Sequence, residues 1–247
     1  MYDPAVPPLI VDVQCVWLEG DAALIAAARG VLGADEIARA DRFVLPDLAD
    51  TFALARGSLR VLLANRLGVG ARDVTFEYGE KGKPALANPR GTTLRFNVSH
   101  SGALLVCALV EGEDVGIDVE QHRPLRDRDR LAQRFFSAEE CADLAAWPEA
   151  DRTRVFFECW SRKEAFIKAV GGGLSIPLGS FRVSLASSTT SALLACRPED
   201  GPAEAWTIHP FDAAAGYSGA LAIKAAPVRV DVHHTTAKAL LSTCAPG

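Results

Sequence analysis

The chain has 247 residues, with 26 Lys and Arg against 31 Asp and Glu, a formal net charge of −5. At 49% hydrophobic and 23% charged residues the composition is that of a globular protein, which excludes wholesale disorder. The length allows one large domain or two of about 120 residues. Mild acidity argues against a generic nucleic-acid binder, which would carry a basic footprint. No apolar run reaches the roughly 18 residues of a membrane span, and Met1–Pro8 lacks the basic start of a secretory signal. The expectation is a soluble, cytoplasmic protein. Six cysteines (Cys15, Cys107, Cys141, Cys159, Cys196, Cys244) are scattered without a C-x-x-C pair. They read as reduced, mostly buried thiols rather than a zinc site or a disulfide framework.

Residues 9–18 read as a strand, followed by helices over 21–32, 34–44 and 49–66. The last carries Phe52, Ala55, Leu59, Leu62 and Leu63 at helical spacing and ends at Gly68 and Gly70. Strands follow over 73–79, 93–98, 103–111 and 115–120, with Glu111–Asp114 predicting a hairpin between the last two. A charged, Pro-containing loop covers 121–130. Helices over 132–146 and 151–170 and strands over 180–186, 191–197, 205–211 and 217–225 repeat the earlier order. The repeated order suggests a duplication, although the halves share no evident sequence identity. Ser187–Ser191 predicts a polar turn, and the last twenty residues carry no expectation.

Three features hold chemistry. In Val115-Gly-Ile-Asp118-Val-Glu120 the two carboxylates are two apart in a strand and point to one face. Such a pair suits a hard divalent cation, Mg²⁺ or Mn²⁺, but also an ordinary solvated strand face. In the helical run Phe156–Val170, Phe157 and Trp160 flank Glu164 on the wheel, with Lys168 at the edge of the same apolar face. A carboxylate on that side needs a partner. It is either a third metal ligand or one end of a local Glu164–Lys168 pair. Gly82-Lys83-Pro84 and Phe96-Asn-Val-Ser99-His100-Ser101 offer donors for phosphate. Gly171-Gly-Gly173 reads as a helix stop rather than a phosphate loop, and His233-His234 lacks a third ligand.

In this order and spacing, Gly82–Pro84, Phe96–Ser101, Gly116–Glu120 and Trp160–Lys168 resemble the Sfp-type branch of the 4′-phosphopantetheinyl transferases. The resemblance spans about 90 residues in the middle of the chain. It implies an α/β (α+β) fold of two pseudo-symmetric halves, each a small, mostly antiparallel sheet packed with helices. The active site would lie in the cleft between them, within a monomer. The halves are expected at 1–115 (coenzyme A phosphate contacts) and 116–225 (metal and catalytic residues), with 226–247 an unassigned tail. It further implies coenzyme A as donor, Mg²⁺ (or Mn²⁺) as metal, and acyl or peptidyl carrier proteins as acceptors, with adenosine 3′,5′-bisphosphate released. Carried over by motif, Asp118, Glu120 and Glu164 would bind the metal, and Glu164 would act as base towards the carrier serine. Lys163 and Lys168 would neutralise the pyrophosphate. Lys83 with Pro84, Ser99 and His100 would hold the adenine end. The helix carrying Arg56 and Arg60, with Arg42 ahead of it, stands where the family places basic phosphate contacts. An inactive coenzyme A- or carrier-binding module and a Mg²⁺-dependent phosphohydrolase are the rival readings. The intact carboxylate set argues against the first, and no residue marks a water-positioning role for the second.

Residues 120–134 carry Arg123, Arg126, Arg128, Arg130 and Arg134 against Glu120, Asp127 and Asp129. That stretch is either a basic lip that steers an acidic carrier or a loop with internal ion pairs.

Overall fold

The computed structural model describes residues 7–79, 81–185 and 193–244. The expected turn at Ser187–Ser191 lies outside the described residues. In chain order the first half contains β1 (Leu9–Trp17), α1 (Ala22–Gly30), α2 (Ala34–Ala40), α3 (Pro46–Leu67), β2 (Phe76–Tyr78), β3 (Pro84–Leu86), β4 (Leu94–Ser101) and β5 (Leu104–Glu111). The second contains β6 (Val115–Gln121), α4 (Arg128–Phe135), α5 (Ala138–Ala146), α6 (Glu149–Val170), β7 (Arg182–Val183), β8 (Leu193–Ala195), β9 (Thr207–Phe211) and β10 (Tyr217–Ile223). The chain then returns through β11 (Val228–Thr236) into α7 (Ala237–Leu241).

The two larger sheets among the described residues are ordered β11-β1-β5-β4 and β6-β10-β9, beside the two-stranded pairs β2-β3 and β7-β8. Alternation along the strands sends one set of side chains to each face. Val11, Val13, Val106 and Val110 therefore meet Ile117, Val119, Leu221 and Ile223 in a core between the sheets. Outside it, α3 covers the first sheet through Leu59, Leu63, Cys107 and Leu109. On the other side α6 covers the second through Phe166, Ile167, Ala220 and Ala222. The layers run helix, sheet, sheet, helix.

The repeat suggested by element order is exact in its supports. Strand order β1-β5-β4 in the first half matches β6-β10-β9 in the second. Each long helix has 22 residues and ends on a left-handed glycine, Gly68 (φ 67°) or Gly171 (φ 78°). The fifteenth residue of each is a buried cation. Arg60 pairs with buried Glu36 at 2.5 Å and donates to the carbonyls of Ala71 and Val74. Lys163 pairs with buried Glu140 at 2.7 Å and donates to those of Leu178 and Phe181. Each glutamate also accepts from a backbone N–H three residues earlier, at the start of its own short helix. The same ion pair ties the same three segments together twice.

Several expectations change. Glu111–Asp114 is a crossing between sheets rather than a hairpin: β5 already pairs with β1 and β4 and has no free edge. The real hairpin is β4–β5, turning at Gly102 (φ 56°). The helix expected over 132–146 breaks at Ser137, whose side chain caps α5 in a capping box with Glu140. The tail is structural, since β11 pairs in parallel with the whole of β1, and Ala237 and Leu241 pack into the α3 core. No helix among the described residues is long and apolar enough to cross a membrane. Cys15, Cys107 and Cys159 are buried, with their thiols pushed up by desolvation, Cys15 to about 12. His233 and His234 lie on β11, where His233 stands 3.7 Å from Asp12.

Candidate active site

The site forms where β4 of the first half runs beside β6 of the second. One edge of β6 pairs with β10; its other edge has no strand partner among the described residues. Side chains close it instead. The N–H of Ile117 donates to Asn97 Oδ1 at 2.9 Å, and that of Gln121 to Ser101 Oγ at 3.1 Å. Lys83 donates to the carbonyl of Val115 and Lys168 to that of Ile117, each at 3.2 Å. These bonds satisfy a strand edge that would otherwise be unpaired.

Behind β6 lies α6, and Gly116 sets the distance between them. A Cβ on Gly116 would fall 2.0 Å from the carbonyl oxygen of Ala165 and 2.4 Å from the backbone nitrogen of Ala169. With no side chain there, the strand rests on the helix backbone. Two residues on, Asp118 shares the face of Gly116 and meets Lys168.

Lys168 Nζ lies 2.6 Å from Asp118 Oδ1 and 3.0 Å from Ser99 Oγ, so with Ile117 its three donors are used. Ser99 donates to the same Oδ1 at 2.8 Å. Asp118 Oδ2 is buried and has no hydrogen-bond partner among the described residues. Glu120 accepts from Ser101 at 3.2 Å and lies 3.4 Å from Arg123. Glu164 is half-buried on α6. Its carboxyl is pushed up by desolvation and by the charges of Asp118 and Glu120, against the pull of Lys168. Desolvation and Asp118 push Glu120 up as well. Desolvation also raises Asp118, opposed by Lys168 and Ser99. The three expected carboxylates thus share one electrostatic environment, and Lys168 pairs with Asp118 rather than in a local bridge to Glu164. Hard oxygen donors that repel one another around an unpartnered carboxylate oxygen fit a divalent cation. As the side chains stand, no three His, Cys, Asp or Glu among the described residues are grouped so that they could hold a metal ion.

The remaining expected residues divide. Lys83 bridges the halves by donating to the carbonyls of Val115 and Lys168, and burial lowers its ammonium against the pull of Asp114. With Pro84 it lines a cavity of about 910 Å³ beside the β2–β3 hairpin, whose walls include Lys81, Arg90 and Arg95 but none of the three carboxylates. His100 is exposed at the end of β4, its imidazole lowered by desolvation and then by Lys168. Arg56 is held by Glu36 at 2.7 Å and by the Tyr78 hydroxyl, above the Phe76 ring. Arg42 is exposed in the turn before α3. Lys163 is corrected: it has no solvent exposure and is spent on Glu140 and two carbonyls in the core, away from any pyrophosphate. Ser99, expected on a phosphate, is engaged by Asp118 and Lys168.

The basic lip is also divided. Arg128 is buried and bonded to Asp129, Glu149 and Thr153, and Arg123 lies over the Phe157 ring. Arg126, Arg130 and Arg134 remain exposed. Sequence reasoning gave Gly116 no role and placed Asn97 and Ser101 in a run of phosphate donors, whereas they bond to the edge of β6 and, for Ser101, to Glu120. The alternation Ser99–Ser101 matches that of Asp118–Glu120, and this was the available signal for the serines.

Comparison with known proteins agrees with this geometry. The family described as the 4′-phosphopantetheinyl transferase superfamily matches residues 114–222. The description "4′-phosphopantetheinyl transferase, N-terminal" matches residues 17–111. The chain is 41% identical over 145 residues to the 4′-phosphopantetheinyl transferase HetI of Nostoc sp., covering 58% of this chain and 61% of that protein. It is 39% identical over 127 residues to Sfp of Bacillus subtilis, covering 51% and 54%. With AcpT of Salmonella typhi it shares 35% over 147 residues, covering 56% and 73%. The matched stretch therefore spans about half to two thirds of the length of HetI and Sfp. Two family matches meeting at the β5–β6 crossing, and 73% of AcpT covered at 35% identity, place the chain in the 4′-phosphopantetheinyl transferase superfamily.

Proposed function

We propose that the protein transfers the 4′-phosphopantetheine arm of coenzyme A to a serine of an acyl or peptidyl carrier protein, releasing adenosine 3′,5′-bisphosphate. The observation that supports this reading is the buried carboxylate of Asp118, held at Oδ1 by Lys168 and Ser99, whose charge, with that of Glu120, pushes Glu164 up. In the reaction the carrier serine Oγ bonds to the phosphorus that carries the pantetheine arm. The bond from that phosphorus to the bridging oxygen breaks, and adenosine 3′,5′-bisphosphate departs with the electron pair.

Glu164 accepts the serine proton, a positioned carboxylate being what a nucleophile that is weak as a free hydroxyl needs. Asp118, Glu120 and Glu164 would hold Mg²⁺ or Mn²⁺. Bound there, such a cation supplies charge neutralisation at the pyrophosphate. Lys168 adds positive charge at the same place. To take a phosphate oxygen it gives up the Ile117 carbonyl, the longest of its three bonds. Lys83, Pro84 and His100 line the coenzyme A side, with Arg56 and Arg42 on the first half. The exposed Arg126, Arg130 and Arg134 face the acceptor.

The test is direct. The protein is incubated with coenzyme A, Mg²⁺ and an apo-carrier, and the carrier is weighed. A gain of one phosphopantetheine arm, abolished by chelator, is the expected result. An unchanged carrier mass with several acidic carriers refutes the activity.

A further inference from the structure

Asp118 Oδ1 is taken up by Ser99 and Lys168, while Oδ2 is buried without a hydrogen-bond partner among the described residues. Glu120 is tethered in a similar manner, Ser101 donating to its Oε2 at 3.2 Å. Both pairs are offset by 19 residues along the chain. A constant offset means that β4 and β6 run in the same direction here, with Ser99 and Ser101 opposite Asp118 and Glu120. The serines belong to one half of the molecule and the carboxylates to the other. Each hydroxyl has a single proton and gives it to a carboxylate. Each also accepts an N–H, from Lys168 at Ser99 and from the Gln121 backbone at Ser101. Neither proton is left for a phosphate.

We infer that Ser99 and Ser101 are positioning residues, each fixing one oxygen of a carboxylate in the opposite half so that the other oxygen is aimed at the cation. Ser99 does this in place of contacting a coenzyme A phosphate. The inference rests on the metal role proposed for Asp118 and Glu120. Its physical basis is that groups bonded to metal ligands set ligand orientation, and that their loss lowers metal affinity by about 10–100-fold. The serines are a cleaner probe than Lys168, because removing a neutral hydroxyl leaves the charge of the site unchanged.

In the experiment Mn²⁺ is titrated into the full chain with coenzyme A present, and the free ion is followed by electron paramagnetic resonance. Wild type is compared with Ser99→Ala, Ser101→Ala, Ser99→Thr and Asp118→Asn. Affinities for coenzyme A and for 3′-dephospho-coenzyme A are measured by calorimetry on the same variants. Each alanine variant is expected to weaken Mn²⁺ binding by about tenfold. Ser99→Thr restores it, and the preference for coenzyme A over its dephospho form stays that of wild type. Should an alanine variant not fold, the matching Ser→Cys variant, similar in size but a poor donor, is expected to show the same weakening. If Ser99→Ala keeps wild-type Mn²⁺ affinity and loses the preference for the 3′-phosphate, the hydroxyl is a phosphate contact and the inference is overturned. If Asp118→Asn weakens Mn²⁺ binding while the serine variants do not, the inference alone falls. If Asp118→Asn has no effect either, the metal reading falls with it.

Discussion

Replacing Gly116 with alanine tests whether contact between β6 and α6 sets the geometry of the site. The added Cβ would lie 2.0 Å from the Ala165 carbonyl oxygen and 2.4 Å from the Ala169 nitrogen. Both are backbone atoms in the last two turns of α6 and cannot turn aside. A carbon approaches a carbonyl oxygen to about 3.3 Å, so strand and helix must part by about 1.3 Å. Overpacking of this kind costs about 1–3 kcal/mol. In a chain of this size each kcal/mol is worth about 2–4 °C in Tm. The larger effect falls on chemistry. Asp118 rides on the strand and Glu164 and Lys168 on the helix, so the gap opens across the carboxylate cluster. A misplacement of about 1 Å costs about 10²-fold in rate. The assay is carrier mass against time, alongside a urea unfolding curve. A folded Gly116→Ala variant with wild-type turnover and unfolding midpoint would show that the close approach is incidental.

Glu164→Gln should retain coenzyme A binding in calorimetry but lose transfer by at least about 10²-fold, the scale of a missing general base; near-normal turnover removes the residue from the chemistry. The same substitution should stabilise the metal-free protein at neutral pH by about 0.5–2 kcal/mol, read from urea unfolding. The sign follows from the raised carboxyl: the folded state takes up a proton at higher pH than the unfolded state. The charged form therefore costs stability above the folded pKa, and the advantage of Gln should fade as pH falls through it. Arg126→Glu with Arg130→Glu should raise KM for an acidic carrier more than KM for coenzyme A, and the difference should shrink with salt; equal carrier kinetics at low salt refute the steering role. Lys163→Ala should destabilise the fold by about 3–5 kcal/mol, because it leaves Glu140 charged and buried without its partner. An undiminished unfolding midpoint, with transfer lost, would return the lysine to the active site.

The carboxylates were legible because each broke a local pattern. Asp118 and Glu120 alternate with apolar residues at the period of a strand, and Glu164 sits on an apolar helix stripe. Lys163 was misread because its role came from adjacency to Glu164 in a shared motif. Neighbours on a helix differ by about 100°, and the residues that do share its face, Cys159, Phe166 and Ile167, are all buried. The β5–β6 hairpin failed for another reason. Turn chemistry is local, but the pairing of a strand depends on which edges distant strands have already filled. The final strand was passed over although Val228, Val230 and Val232 alternate, since its partner β1 lies at the other end of the chain.

The two halves explain why a scaffold residue and a residue of the proposed active site can be neighbours. At the fifteenth position of α3 and of α6 the side chain is a buried cation on a buried glutamate, Arg60 on Glu36 and Lys163 on Glu140. That pair serves folding, and both halves need it. At the sixteenth and twentieth positions the halves differ: Val61 and Asn65 in α3, Glu164 and Lys168 in α6. Val61 is fully buried in the first core, whereas Glu164 is half-exposed beside two carboxylates. A one-residue step rotates the side chain by about 100°, from the segments the cation anchors to the face that meets β6. A motif read residue by residue therefore mixes two kinds of constraint. In α6 the register relative to the repeat separates them: what α3 also has is support, and what it lacks, Glu164 and Lys168, is what the proposed chemistry uses.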